Sequence, residues 1–248
     1  TAELRGRMNG VSRQQQDGLA LRSHQKAWEA TQKGYFKDEI VPMVGHDEMG
    51  VSALIKHDEV IRQDASLESL LKLPSVFDPK NGTVTAGNSS ALSDGASCVL
   101  VMSEDKAKAL GLKPMARIIS IAASGCNPSI MGYGPVGASR HALAKVGLKT
   151  SDMSIVELNE AFAAQAIPVM KDLELLADAD KKVNRYGGAI ALGHPLGAHY
   201  RHISASVTFD WSEVRSCYHV YWNGPGCGDS DRKYELVSRA PVLGALII

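Results

Sequence analysis

The sequence predicts a layered α/β protein, and three observations carry that reading. From about residue 96 onward, short apolar runs alternate with helix-length segments: CVLVMS, EDKAKALG, ARIISIAAS, GASRHALAKVGL, SIVELN and EAFAAQAIPVMKDL. Alternation of this kind is the pattern of strands covered by helices. The helical segments are rich in Ala and Gly, which lets helix and sheet approach closely. The composition, with 44% hydrophobic, 22% charged and 6% aromatic residues, is that of an ordinary globular domain.

The chain opens on TAELRGRMNGVSRQQQ, which has neither the basic start nor the apolar core of a signal peptide. It reads as the interior of a helix, so the chain is expected to be a piece of something longer. Residues 1 to about 35 are predicted helical, with Leu19, Leu21 and Trp28 at helical spacing. Residues 36–79 are irregular and polar, an excursion of short strands with one short helix at Leu67–Leu73. A turn of small residues begins at Gly82, a helix-like polar stretch follows, and Ser97–Met102 is expected to be a buried strand.

Lys+Arg and Asp+Glu both number 27, so no net field draws the chain to nucleic acid or to an acidic membrane. No apolar run approaches the roughly 20 residues that span a bilayer. The four cysteines, Cys98, Cys126, Cys217 and Cys227, have no metal-ligand spacing, and two lie in apolar segments. A reducing, cytoplasmic compartment is the expectation.

Three stretches carry candidate chemistry. NEAFAAQ (Asn159–Gln165) sets Asn and Glu where a strand gives way to a helix; taken alone, that Asn is an N-cap. GGAIALGHPLGA (Gly187–Ala198) holds His194 between Gly193 and Pro195, a constrained backbone open to close approach. A lone His is more often a satisfied core group. TAGNSSALSDGA (Thr85–Ala96) is a small polar loop, and a plain turn explains it equally well. Metal is not the reading of His194, His199 and His202, because two of the three belong to a tail of foreign texture.

Together and in this order, these stretches resemble the thiolase family. MGYGPVGASRHAL (Met131–Leu143) matches a further family signature, as does DEVIRQDASLESLLKL followed by FDPKNGTVTAGNSS. The resemblance runs from Thr1 to Ala198. It is greatest to the bacterial 3-ketoacyl-CoA thiolases of the fatty-acid β-oxidation complex, above all in GHDEMGV, NPSIMGYGPV and IALGHPLGA. The resemblance implies a thiolase-like layered αβαβα fold with a mixed sheet and helices on both faces. Of that fold, the inserted loop domain would occupy residues 1–85 and the C-terminal α/β domain residues 86–198. It implies acyl transfer between thioesters: a thiolate attacks the 3-keto carbonyl, acetyl-CoA leaves, and a second CoA takes the acyl group. His194 would activate the nucleophilic cysteine and help bind the thioester oxygen. Asn159 would hold the water that completes the oxyanion hole. Arg62 and Ser69 would lie beside the CoA nucleotide, while Ser90 and Met131 would line the pantetheine channel. His194 and Asn159 are expected side by side, facing a cleft with Ser90 and Met131 on its wall. CoA and acyl-CoA are implied as substrates, with no permanently bound cofactor and no metal. A homodimer or tetramer is implied, in complex with a multifunctional α subunit of β-oxidation.

Two catalytic parts of the family are not found in their motifs. The nucleophilic cysteine would precede Thr1, and the CxGxGxG segment expected after GHP does not occur in residues 199–248. That tail holds four of the seven Tyr and two of the three Trp, and it shows no periodicity. Cys227 in GPGCGD has the wrong neighbours. However, the codons of Ser216–Gly226, SCYHVYWNGPG, read from their second nucleotide admit LATMCIGMGQG at all eleven positions. The expectation is a reading frame displaced after Ala198, with residues 199–248 an aberrant tail and the chain by itself inactive. Two alternatives stand beside the leading one. The first is a non-catalytic thiolase-like CoA-binding or scaffold subunit. The second is an acetyl-CoA acetyltransferase or other condensing enzyme; synthases of the shared fold use paired His in place of NEAF and GHP.

Overall fold

The computed structural model describes residues 1–47, 49–114 and 116–195, together with the backbone of two short strands, Ser216–Tyr218 and Ala245–Ile247. The rest of the tail, the point of expected frame loss at Ala198 and Cys217, Cys227, His199 and His202 as side chains lie outside the described residues.

Two helices open the chain, α1 (Ala2–Met8) and α2 (Arg13–Gln32). They are separated at Asn9–Val11, where Gly10 takes φ +63, a left-handed conformation that a side chain resists. Ser12 restarts the helix through a capping box: its hydroxyl accepts from Gln15 N, and Gln15 Oε1 accepts from Ser12 N. At 20 residues, α2 is about 30 Å long. Its buried face is Gln16, Asp17, Leu19, Ala20, Ser23, His24, Ala27 and Ala30. Of the three apolar residues expected to mark that face, Leu19 alone is fully buried, and Leu21 and Trp28 are half-covered. The helix turns a largely small and polar face inward, which an apolar-periodicity argument does not detect.

The excursion that follows holds an antiparallel hairpin, β1 (Met43–His46) with β2 (Ser52–Ile55), paired Met43 to Ile55. A one-turn helix follows, α3 (Leu67–Leu71), close to the expected span. Beyond it, the TAGNSS loop is fastened at several points. Glu3 accepts from Thr83 N (2.8 Å) and Val84 N (2.9 Å). Asn88, fully buried, donates to Asp17 Oδ1 (2.9 Å) and Thr83 O (3.0 Å) and accepts from Thr85 N (2.8 Å). Arg13 holds the other oxygen of Asp17 at 2.7 Å while donating to Leu70 O (2.6 Å).

The second half contributes α4 (Glu104–Ala109), β3 (Arg117–Ser120), a 3₁₀ turn at Pro128–Tyr133, α5 (Gly134–Ala144), α6 (Ala163–Asp172), α7 (Ala179–Lys182) and α8 (Ala189–Leu192). The tail adds β4 (Ser216–Tyr218) and β5 (Ala245–Ile247), and β3, β5 and β4 lie parallel in that order. Val136 and Leu143 of α5, Val169 and Met170 of α6, Leu19 and Ala20 of α2 and Leu70 of α3 share one buried cluster. The core therefore crosses residue 85, and the first helices are part of the wall on which the second half rests. No described helix is long and apolar enough to cross a membrane.

The strands depart from expectation. Ser97–Met102 forms no strand, and Val99, Leu100 and Val101 are 50%, 78% and 67% exposed. A strand exists only where a neighbour completes its ladder, and among the described residues none pairs with this segment. SIVELN is buried and extended but makes a single parallel bridge, Val156 to Val183. ARIISIAAS is ordered as a strand only over Arg117–Ser120. The layered mixed sheet with helices on both faces is thus reduced, among the described residues, to the hairpin and the three-stranded parallel sheet.

Asp17 is the pin between α2 and the TAGNSS loop. Asp17→Ala leaves the Arg13 guanidinium and the Asn88 amide without their carboxylate in a dry setting, and should cost about 3 kcal/mol of stability. Urea unfolding monitored by circular dichroism measures this; Asp17→Asn should lose less.

Candidate functional site

Asn159 ends the buried segment SIVELN, and α6 does not begin until Ala163, with Phe162 at its N-cap. Asn159 therefore caps nothing, contrary to what an isolated Asn at a strand–helix junction suggests, and its amide is left available. His194 arrives from the other direction. The short helix α8 closes at Gly193, whose φ of +87 turns the chain sharply, and Pro195 then restricts His194 to an extended backbone. The two meet with Asn159 Nδ2 at 3.3 Å from His194 Nε2. Both are half-buried. Burial lowers the pKa of the His194 imidazole below its ordinary value, so the ring is neutral around pH 7.

A buried carboxylate behind this pair joins the two motifs. Glu160, the neighbour of Asn159, accepts from Ser23 Oγ of α2 (2.7 Å), Asn184 Nδ2 (2.7 Å) and Ile190 N in α8 (3.3 Å). Burial pushes its pKa up, against the pull of these hydrogen bonds and of Lys26. Asn184 also exchanges two 2.8 Å hydrogen bonds with the backbone of Leu158, and Ser23 Oγ accepts from Gly188 N at 3.0 Å. The paired glycines make this possible. A Cβ on Gly188 would lie 2.2 Å from Glu160 Cδ, and one on Gly187, at φ +89, would lie 2.6 Å from Ala27 Cβ.

The remaining expected residues fall at different distances from this centre. Ser90 is half-buried, and its backbone N–H and hydroxyl donate to Ala161 O at 3.0 and 3.1 Å, two residues from Asn159. Arg62 is exposed and follows Val60, whose side chain lies 3.7 Å from where a Cβ on Gly193 would stand. The backbone N–H of Arg62 donates to His24 Nδ1 at 3.2 Å. Ser69 is exposed on α3, and its hydroxyl closes a capping box with Ser66. Met131 is half-buried on the 3₁₀ turn, where its carbonyl oxygen lies 3.5 Å from Cys126 Sγ. That turn packs on α6, since a Cβ on Gly132 would meet Gln165 Cγ at 2.4 Å.

Sequence reasoning did not single out Ser23, Ser93, Asn184 or the carboxylate of Glu160. Ser93 Oγ accepts from His194 N at 2.9 Å. The available signal was polar residues on the apolar-spaced face of α2 and a second Ser three positions after Ser90. Chemically, an amide nitrogen and a neutral imidazole nitrogen side by side, 3.3 Å apart, can together polarise a carbonyl oxygen or a water placed against both.

Residues 1–105 match the thiolase N-terminal domain and residues 112–221 the thiolase C-terminal domain. The chain belongs to the thiolase family. A 3-ketoacyl-CoA thiolase of Aliivibrio fischeri is 60% identical over 207 residues, which cover 84% of this chain and 54% of that relative. One of Alcanivorax borkumensis is 57% identical over 215 residues, covering 86% of this chain and 55% of the relative. The chain thus spans about half the length of the curated relatives it matches. Among solved thiolase-fold structures, Bacillus anthracis acetyl-CoA acetyltransferase aligns with a TM-score of 0.76 at 42% identity, over 83% of this chain and 51% of that one. Human mitochondrial 3-ketoacyl-CoA thiolase in complex with CoA aligns with a TM-score of 0.71 at 44% identity, over 83% and 50%. The α/β thiolase fold follows from these matches, even though little of its sheet is paired among the described residues.

Two measurements probe this corner of the thiolase fold. Gly188→Ala drives a methyl into the Glu160 carboxylate and should destabilise by about 2 kcal/mol in urea unfolding, while Gly18→Ala, with open space around it, should not. His24 is held neutral by burial first and by the Arg62 charge second, which push its pKa down to about 4 against Asp64. The unfolded chain therefore takes up a proton that the folded chain refuses. Stability should fall as the pH drops from about 6.5 toward 4. Thermal melts across that window should show the decline, and His24→Gln should flatten it.

Proposed function

We propose that this chain carries the histidine–asparagine oxyanion site and part of the CoA-binding surface of a 3-ketoacyl-CoA thiolase. The observation that carries the reading is the 3.3 Å approach of Asn159 Nδ2 to His194 Nε2, each brought there by its own family motif. In the proposed reaction a cysteine thiolate adds to the 3-keto carbon of the thioester. The carbon–carbon bond then breaks, and the departing acetyl-CoA carbanion takes a proton. The sulfur of a second CoA attacks the acyl-enzyme and releases acyl-CoA. His194 binds the thioester oxygen and accepts the proton of the nucleophilic thiol, for which a neutral imidazole is suited. Asn159 holds a water on the same oxygen.

Arg62 and Ser69 are proposed beside the CoA nucleotide, and Ser90 and Met131 along the pantetheine arm. Ser90 has the stronger support, because its loop is bonded to the Asn159 segment. Ser69 would have to leave its capping box. CoA and its thioesters are the proposed substrates, with no resident cofactor, in a cytoplasmic homo-oligomer bound to a β-oxidation α subunit. The thiolase names of the 57–60% identical relatives favour 3-ketoacyl cleavage over the acetyltransferase reading suggested by the 42% identical structure.

The nucleophile and the second cysteine are proposed to lie outside the described residues. Cys98 is exposed, and Cys126 Sγ faces the carbonyl oxygens of Ile130 and Met131. The 248-residue chain alone should therefore show no CoA-dependent cleavage of acetoacetyl-CoA or a longer 3-ketoacyl-CoA above a no-protein control. A chimera in which the A. fischeri relative supplies the segments before Thr1 and after Ala198 should be active. In it, His194→Ala or Asn159→Ala should lower kcat by about 10²–10³-fold. A chimera unmoved by His194→Ala would sink the proposal, and turnover by the chain alone that vanishes on His194→Ala would place a nucleophile within these residues.

A further inference from the structure

Gly193 ends α8 by donating to Ala189 O at 3.0 Å, and Pro195 has no N–H to give. At His194 the main chain donates to one side chain, Ser93, whose Oγ accepts from His194 N at 2.9 Å. The same hydroxyl leans back on its own loop, toward Ala91 O at 3.4 Å. The contact is also steric, since a Cβ on Gly193 would stand 2.5 Å from Ser93 Oγ and 3.1 Å from Ser93 Cβ. Gly193 is thus bare on the side where Ser93 leans on the turn.

Ser93 belongs to a loop that is bonded to the other half of the site as well. Asn88 O accepts from Ala163 N at 2.9 Å, Ser89 bridges to Phe162, and Ser90 donates twice to Ala161 O. These three contacts fall two to four residues after Asn159. One loop therefore grips the Asn159 segment through residues 88–90 and the His194 turn through residue 93. The loop couples the position of the Asn159 segment to that of the His194 turn. Displacements of about half an ångström matter in a site that must meet a developing oxyanion.

We propose that Ser93 is a positioning residue for His194: its hydroxyl accepts the His194 N–H and so fixes where the imidazole stands relative to Asn159. This deepens the functional reading above and rests on it for its consequence in catalysis, while the geometric claim can be tested without turnover. Ser93 touches no substrate in this account and acts through His194.

The test is nitrogen-15 and carbon-13 NMR of the His194 ring in the 248-residue chain, with His194→Gln to assign its signals. In Ser93→Ala the imidazole should move outward into water, so its titration midpoint should rise toward that of a free imidazole and its Nε2 shift should change. Ser93→Thr, which keeps the acceptor, should restore both. Circular dichroism melts should show Ser93→Ala folded. Wild-type midpoint and Nε2 shift in a folded Ser93→Ala would overturn the proposal. Global unfolding of Ser93→Ala would also overturn it, because the hydroxyl would then be holding the fold and not the ring. Failure of the functional reading would look different: a moved His194 resonance in Ser93→Ala, together with unaltered kcat on His194→Ala in the chimera.

Discussion

Glu160 accepts hydrogen bonds from three separate parts of the chain, and the site depends on its doing so. A carboxylate withdrawn from water must be answered by donors, and Ser23, Asn184 and the backbone of Ile190 answer it. Those donors come from α2, from the turn before Gly187 and from α8. Satisfying one buried carboxyl group therefore brings together the segment that ends at Asn159 and the helix that leads to His194. The adjacency of Asn159 and Glu160 in sequence translates this buried requirement into an exposed result. One residue faces the donors, and its half-buried neighbour meets His194.

Small residues let the network close. Gly187 and Gly188 bring the backbone against Ala27 and against the Glu160 carboxylate at separations that a methyl group would fill. Ala20, Ala27 and Ala30 give α2 a flat face, and Ser23 and His24 give it polar anchors. Close approach and polar anchoring are coupled: the hydrogen bonds to Glu160 have their lengths because no side chain separates the elements that supply them.

A second brace, the loop from Thr85 to Ser93, works in the same manner at the near side of the site. It is pinned to α2 through Asn88 and Asp17, to the Asn159 segment through residues 88–90, and to the His194 turn through Ser93. Neither brace relies on a sheet ladder. The His194–Asn159 geometry is therefore formed although Val99–Val101 is exposed and its segment is without a ladder among the described residues.

The sequence by itself determined most of the helices and the identity of the two central residues. The helix-like polar stretch expected after Gly82 is not helical, however, and the helix expected over residues 1–35 is broken at Asn9–Val11. Helical segments carry their own signals, such as the Ser12 and Ser66 capping boxes and the periodic faces of α5 and α6, because their hydrogen bonds are local. His194 and Asn159 were legible because each sits in a short motif whose neighbours restrict the backbone. Strands were misjudged for the converse reason. CVLVMS and SIVELN have strand composition, but pairing is made by other parts of a fold, and among the described residues only Val156 makes a bridge. The buried face of α2 was misjudged because its residues are small and polar, and their burial is justified by partners elsewhere, among them Glu160, Asn88, Thr83 and the backbone of Arg62. Ser93, Ser23 and Asn184 lie 24 to 165 residues from the groups whose placement they share. Their roles depend on contacts that no local pattern encodes, so the tertiary structure alone decided them.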